Sequence, residues 1–276
     1  MMVLRGIYIP QEVYHFIIWR FSMENAKKEE VLDFLDAVEG QGFENMEQDQ
    51  VAIPRLNISQ ALSDVVQNGK ISQGHFYNSL TGKDYGETIE IVVCCFQKVW
   101  VEWKKNQGGY VGTYPIGGLE GVTGDNFKGM EHKDAEGNVN DVIETWNYLV
   151  FLPEHLEDGL MVFGSTRGNL KYLKSWNTQM RYLRTPTGKP APLFSSIWEV
   201  STGKDTNKAG KQYYSCNKDG KSSFVWKDWV TKDMFNSLIA PARETAEHTL
   251  SLVDNSQDIQ RIEASSSTEE SAETDF

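Results

Sequence analysis

Three cysteines in 276 residues are too few for a disulfide framework, and no CxxC pair or histidine grouping supplies the spacing of a zinc site. Cys94 and Cys95 sit inside the apolar run IEIVVCCF, so with Cys216 they read as buried, reduced thiols of a cytosolic protein. No apolar run approaches the ~20 residues that cross a bilayer, and no membrane partner is expected. The first residues, MMVLRGIYIPQEVYHFIIWRF, are interrupted by Pro10, Glu12 and His15 and lack a small-residue cleavage site, so no signal peptide is expected. Residues 1–22 read as an extension poorly integrated with the rest of the chain, with Met23 as an alternative start. A P-loop, a GxSxG elbow and a Cys–His nucleophile signature are all missing, so no cofactor, metal or catalytic residue is expected.

Acid is in excess overall, with a formal net charge of −12, but it is not spread evenly. Residues 22–51 carry nine acidic and two basic side chains, and residues 244–276 carry nine and one. Between 165 and 232 the balance reverses, with thirteen Lys/Arg against four Asp/Glu. This division suggests acidic arms flanking a basic working surface.

The periodicity divides the chain into four parts: the extension 1–22, an acidic helix and linker over 23–51, a body over 52–242, and a disordered acidic tail over 243–276. In ENAKKEEVLDFLDAVEG, Val31, Leu32, Phe34, Leu35 and Val38 form a helical stripe that Gly40 ends. From Gly74 the period changes to two. GHFYNSLTG, ETIEIVVCCFQKVWVEWKK, WNYLVFLP and GLMVFGS read as strands. Eight glycines between Gly108 and Gly129 make that stretch read as a flexible flap. Leu170, Leu173, Met180 and Leu183 then recur at helical spacing, with Ser165 or Thr166 as cap. LFSSIWEVSTG and GKQYYSCN read as a hairpin around KDTNKAG. A last strand and short helix come next. Strand, strand, strand, helix, strand, strand is the element order of a five-stranded OB-like barrel, with the helix between strands 3 and 4. A β-sandwich with one helix is the alternative.

The basic segment interleaves cations with rings. Arg167, Lys171, Tyr172, Lys174, Arg181, Tyr182, Arg184, Lys189, Lys204, Lys208, Lys211, Tyr213, Tyr214 and Lys218 are its candidate nucleic-acid contacts. Cations neutralise phosphates and release counterions, while flat rings stack on unpaired bases. Trp176 and Trp198 are core candidates instead. Tyr213 and Tyr214 are neighbours on a strand, so one of them points outward.

The chain ends STEESAETDF, with Glu269, Glu270, Glu273, Asp275 and the terminal Phe276. A basic, mainly β body joined to an acidic terminus closing on phenylalanine resembles phage single-stranded-DNA-binding proteins. The resemblance implies a protein that coats single-stranded DNA in replication or recombination, in the cytoplasm of an infected host cell. It also implies a tail that competes for the basic groove and recruits partner enzymes through its final ring. A homo-oligomer is compatible with this reading. Two other classes compete with it. One is a phage structural or interaction protein. The other is a Mg²⁺-dependent nuclease, in which Asp84 and the triplet Glu102-Trp103-Lys104 would hold the ion and assist the attacking water.

Overall fold

In Leu56-Asn57-Ile58 the alternation sends both aliphatic side chains inward and forms the first strand, β1 (Leu56–Ile58). It pairs antiparallel with β2 (Phe76–Asn78), which pairs with β3 (Asp84–Gly86), giving a three-stranded sheet. The computed structural model describes residues 53–105, 109–125, 129–207, 210–244 and 246. The chain divides into two compact units, Met1–Val51 and Ala52–Phe276, and the described residues all belong to the second. The extension 1–22, the helix and linker over 23–51, Lys208 and the tail residues Glu269, Glu270, Glu273, Asp275 and Phe276 lie outside the described residues.

The β-branched and aromatic run after Glu87 becomes one long strand, β4 (Thr88–Lys104). The segment expected to be a flap instead contains β5 (Tyr110–Pro115) and β6 (Thr123–Asp125). Glycines there provide the turns between strands; Gly117, Gly121 and Gly124 adopt positive φ. Next come β7 (Gly129–Lys133), the 13-residue β8 (Val139–Phe151) and β9 (Met161–Thr166). The long helix spans Leu170–Tyr182. Ser165 and Thr166 end β9 rather than capping the helix, and Asn169 takes the cap position. After the helix come β10 (Ser196–Ser201), β11 (Gly203–Thr206) and β12 (Gln212–Ser215). Three short strands complete the set: β13 (Asn217–Lys218), β14 (Lys221–Ser222) and β15 (Val225–Trp229). The hairpin expected between LFSSIWEVSTG and GKQYYSCN does not form: LFSSIWEVS joins the main sheet as β10, and β12 pairs instead with β11, largely within the segment expected to connect them.

β4 and β8 pair along twelve registered positions and act as a shared spine. Around the first half of β4 the strand order is β15-β10-β4-β8-β9, and around its second half it is β5-β4-β8-β7-β6. The result is a mainly β protein whose eight-stranded sheet curls into a half-barrel, with few helices. Five strands were expected; two of them proved long enough to serve two neighbourhoods each. The helix falls between β9 and β10, and no pairing among the described residues closes β15 onto β6.

Each face of the first half carries a helical layer. On one face Ile91, Val93, Tyr148, Val150, Phe163, Trp198 and Val200 pack beneath Leu170, Leu173, Trp176 and Met180 of the long helix. Trp176 is fully buried and stacks on Phe224 with ring centroids 4.0 Å apart. On the other face Val92, Cys94 and Phe151 pack against Ile239 and Ala242 of the C-terminal helical segment Lys232–Glu244. A bulge between Val93 and Cys95 accommodates Cys94. Burial pushes the thiols up, Cys94 to about 12 and Cys95 to about 11. None of the three cysteines forms a disulfide.

Candidate nucleic-acid interface

The long helix is amphipathic. Leu170, Tyr172, Leu173, Trp176 and Met180 face the sheet, while Lys171, Lys174 and Arg181 are exposed. Acid is absent from its neighbourhood in sequence: from Gly159 to Trp198 the chain carries six Lys/Arg and no Asp or Glu. The helix itself carries no carboxylate, and the acid that reaches Lys171 comes from another element, Asp205.

At its C-terminal end the helix gathers Arg181, Tyr182, Arg184 and Lys189. The Tyr182 side chain is 70% exposed. The Arg184 guanidinium donates Nη1 hydrogen bonds of 3.1 Å to the carbonyls of Arg181 and Leu183, which satisfies helix-end acceptors and fixes the cation beside Tyr182. The next turn folds back, with Thr185 N donating to the Lys189 carbonyl at 2.9 Å and a bridge joining Arg184 to Pro190.

The helix N-terminus holds a second grouping, about 16 Å away at 1.5 Å per residue. Asp205 on β11 accepts hydrogen bonds at Oδ2 from the hydroxyls of Tyr172, at 2.7 Å, and Tyr213, at 3.1 Å; Lys171 Nζ lies 2.9 Å from the same oxygen. Burial alone would raise the Asp205 pKa, but hydrogen bonds from Lys171, Tyr172, Thr206 and Tyr213 outweigh it and hold the value near about 2. Burial and then the Asp205 charge push the Tyr213 hydroxyl up to about 12. Lys171 also lies 4.6 Å from the centroid of the Tyr172 ring. This cluster ties the β11–β12 hairpin to the helix. Asp205 stands out in the sequence as the lone acid of KDTNKAGK, and its organising part was missed.

The remaining candidates are distributed. Tyr214 is half-buried against Gly74, and Gln60 clamps its backbone, donating Nε2 to the Tyr214 carbonyl at 2.9 Å and accepting from Tyr214 N at 2.8 Å. Lys204 Nζ lies 6.0 Å from the Tyr214 ring centroid. Lys218 is exposed on β13, Lys211 is half-buried, and Lys174 is exposed on the middle of the helix. Arg167 begins the short 3₁₀ turn Arg167–Asn169.

The residues of the nuclease alternative are not brought together. Asp84 belongs to the three-stranded sheet, where His75 Nδ1 lies 3.0 Å from both carboxylate oxygens. Glu102 lies near the far end of β4, about 46 Å from Thr88 at 3.3 Å per residue. It is buried and receives His132 Nδ1 at 2.6 Å and Asn140 Nδ2 at 2.7 Å, with the Tyr114 hydroxyl as a further partner. Among the described residues, His155, Glu157 and Asp158 have ligand atoms within 4.8 Å of one another. Lys83 Nζ, 2.7 Å from both carboxylates, supplies the positive charge there.

Fold and surface together define a curled, mainly β protein with one basic helix, and no described helix is long and apolar enough to cross a membrane. The chain belongs to the Pam3 phage gp34-like protein family, whose model matches residues 25–249, which places it among bacteriophage proteins. No curated protein and no solved structure matches it.

Proposed function

We propose that this protein binds single-stranded DNA without catalysing a reaction, coating exposed strands during phage replication or recombination in the cytoplasm of the infected cell. The observation that carries this reading is the exposed Tyr182 ring between the exposed side chains of Arg181 and Arg184. An unpaired base needs an accessible π-face, and its phosphates need cations that are not already neutralised by carboxylates. The curled half-barrel takes the part expected of the OB-like barrel, with residues 52–242 as the nucleic-acid-binding domain. Residues 243–276 form the acidic tail, which competes with DNA and recruits replication or recombination enzymes through Phe276.

The family's phage origin agrees with this setting. A second reading, a phage structural or interaction protein, draws on the strands β5, with Tyr110 and Val111 at the surface, and β6, exposed throughout, at the end of the sheet. Binding of labelled oligo-dT and of duplex DNA by the full chain and by a chain lacking residues 264–276 separates the two. The first reading expects submicromolar binding of oligo-dT at low salt, a steep loss of affinity with salt, and tighter binding after tail removal. Absence of oligo-dT binding by the shortened chain at low salt overturns it in favour of the second.

A further inference from the structure

Edge strands are commonly blunted by a bulge or a charge, and β15 has both at Lys227. Its register with β10 pairs Trp229 with Ser196 and Trp226 with Trp198, and the pairing shifts between Ile197 and Trp198. Residues directly opposite each other point to the same face, and Trp198 faces the long helix. The extra residue therefore turns both Trp226 and Trp229 to the helix side, where their rings meet edge to face at 5.6 Å. Without the bulge, residues three apart would point to opposite faces. Lys227 points the other way, to Glu199, at 2.9 Å. Trp226 remains 39% exposed, although its strand pairs with β10.

The segment that leads into β15 follows the helix in the same direction. Ser222 Oγ donates to the Tyr172 carbonyl at 3.2 Å, and one step further along both elements Trp176 stacks on Phe224. At the far end Ala191 N donates to the Leu183 carbonyl at 3.0 Å, and Val230 N to the Ser195 carbonyl at 2.8 Å. Arg181, Tyr182 and Arg184 thus come to the same end of the molecule as Trp226 and Trp229.

We propose that the bulged strand is a base-stacking subsite: the exposed face of Trp226, braced by Trp229, takes an unpaired base of the strand whose phosphates lie along the helix C-terminus. This rests on the single-stranded-DNA reading and adds a position to it. The bulge orients the ring and the edge-to-face neighbour holds it. A base needs only a flat, fixed, accessible ring, so the subsite accepts any base.

The test uses the full chain, fluorescein-labelled oligo-dT for affinity, and intrinsic tryptophan emission for stacking. Wild type is expected to bind with quenching of indole emission. Trp226→Leu, which keeps apolar bulk but removes the ring, is expected to bind about tenfold more weakly with an unchanged salt slope, and Trp226→Phe within about threefold of wild type. Near-UV circular dichroism identifies the folded variants. A folded Trp226→Leu variant with wild-type affinity and quenching overturns the subsite while the DNA-binding reading stands. If wild type ignores oligo-dT, the DNA-binding reading fails and the subsite fails with it.

Discussion

Glu102 and His132 meet near the far end of the sheet through a 2.6 Å contact between Oε1 and Nδ1, with the Glu102 side chain 2% exposed. Asn140 donates to the same oxygen at 2.7 Å, and Tyr114 completes the set. One carboxylate on β4 thereby gathers side chains from β5, β7 and β8, and four strands share one buried acceptor. Burial, then the hydrogen bond to Glu102, raises the Tyr114 hydroxyl above the usual phenol range.

Removing that acceptor strands three donors, the buried Asn140 and the half-buried His132 and Tyr114. Glu102→Ala is expected to cost about 3 kcal/mol, and Glu102→Gln, which keeps a carbonyl acceptor, about 1 kcal/mol. Urea unfolding of the two variants measures the difference. Equal stability of Glu102→Ala and wild type would contradict the arrangement.

Asp205 gives the acid limb of the stability curve a specific contributor. Its pKa in the folded protein, about 2, lies below its ordinary 3.8. The stabilisation is therefore complete above the unfolded value and lost as the pH falls through the folded one, between roughly pH 4 and pH 2. A shift of this size corresponds to about 2 kcal/mol, an upper figure because the side chain is partly solvated. Asp205→Asn is expected to flatten the curve in that window. Melting temperatures across pH 2–5 for both proteins would show it.

Gly74 has φ +84°, and a Cβ there would overlap the Tyr214 ring. Gly74→Ala combines left-handed strain with a displaced ring, for an expected loss of about 2–3 kcal/mol. Tyr214→Ala in the same background removes the overlap and is expected to recover part of it, which a double-mutant cycle in denaturant resolves.

The cations at the helix end carry a signature of their own. If Arg181 and Arg184 each neutralise a phosphate, replacing both with Ala lowers the slope of log K against log salt by about 1.4. Titration at several salt concentrations measures it. An unchanged slope would place the DNA elsewhere on the surface.

Much of the element list could be read directly from side-chain pattern. The β-branched run from Thr88 to Lys104 could pack only as a pleated strand, and the Leu170–Met180 spacing only as a helix with one apolar face. Strand partners were harder to read. Period two records which face is buried but not how many neighbours a strand has along its length, so nothing in the sequence distinguishes a 17-residue strand serving two neighbourhoods from one that crosses a barrel once. β5 and β6 were hidden because glycine supplies turns and strand ends alike.

The site divides along the same line. Local composition alone determined that the middle of the chain is basic and aromatic and that its flanks are acidic, since charge and ring content do not depend on folding. Tertiary structure alone decided which rings remain accessible. Tyr172 and Tyr213 turn their hydroxyls to Asp205, Trp176 disappears beneath Phe224, and Tyr182 and Trp226 stay at the surface. The reason is physical: exposure depends on what packs opposite a residue, and those partners come from strands and turns distant in the chain.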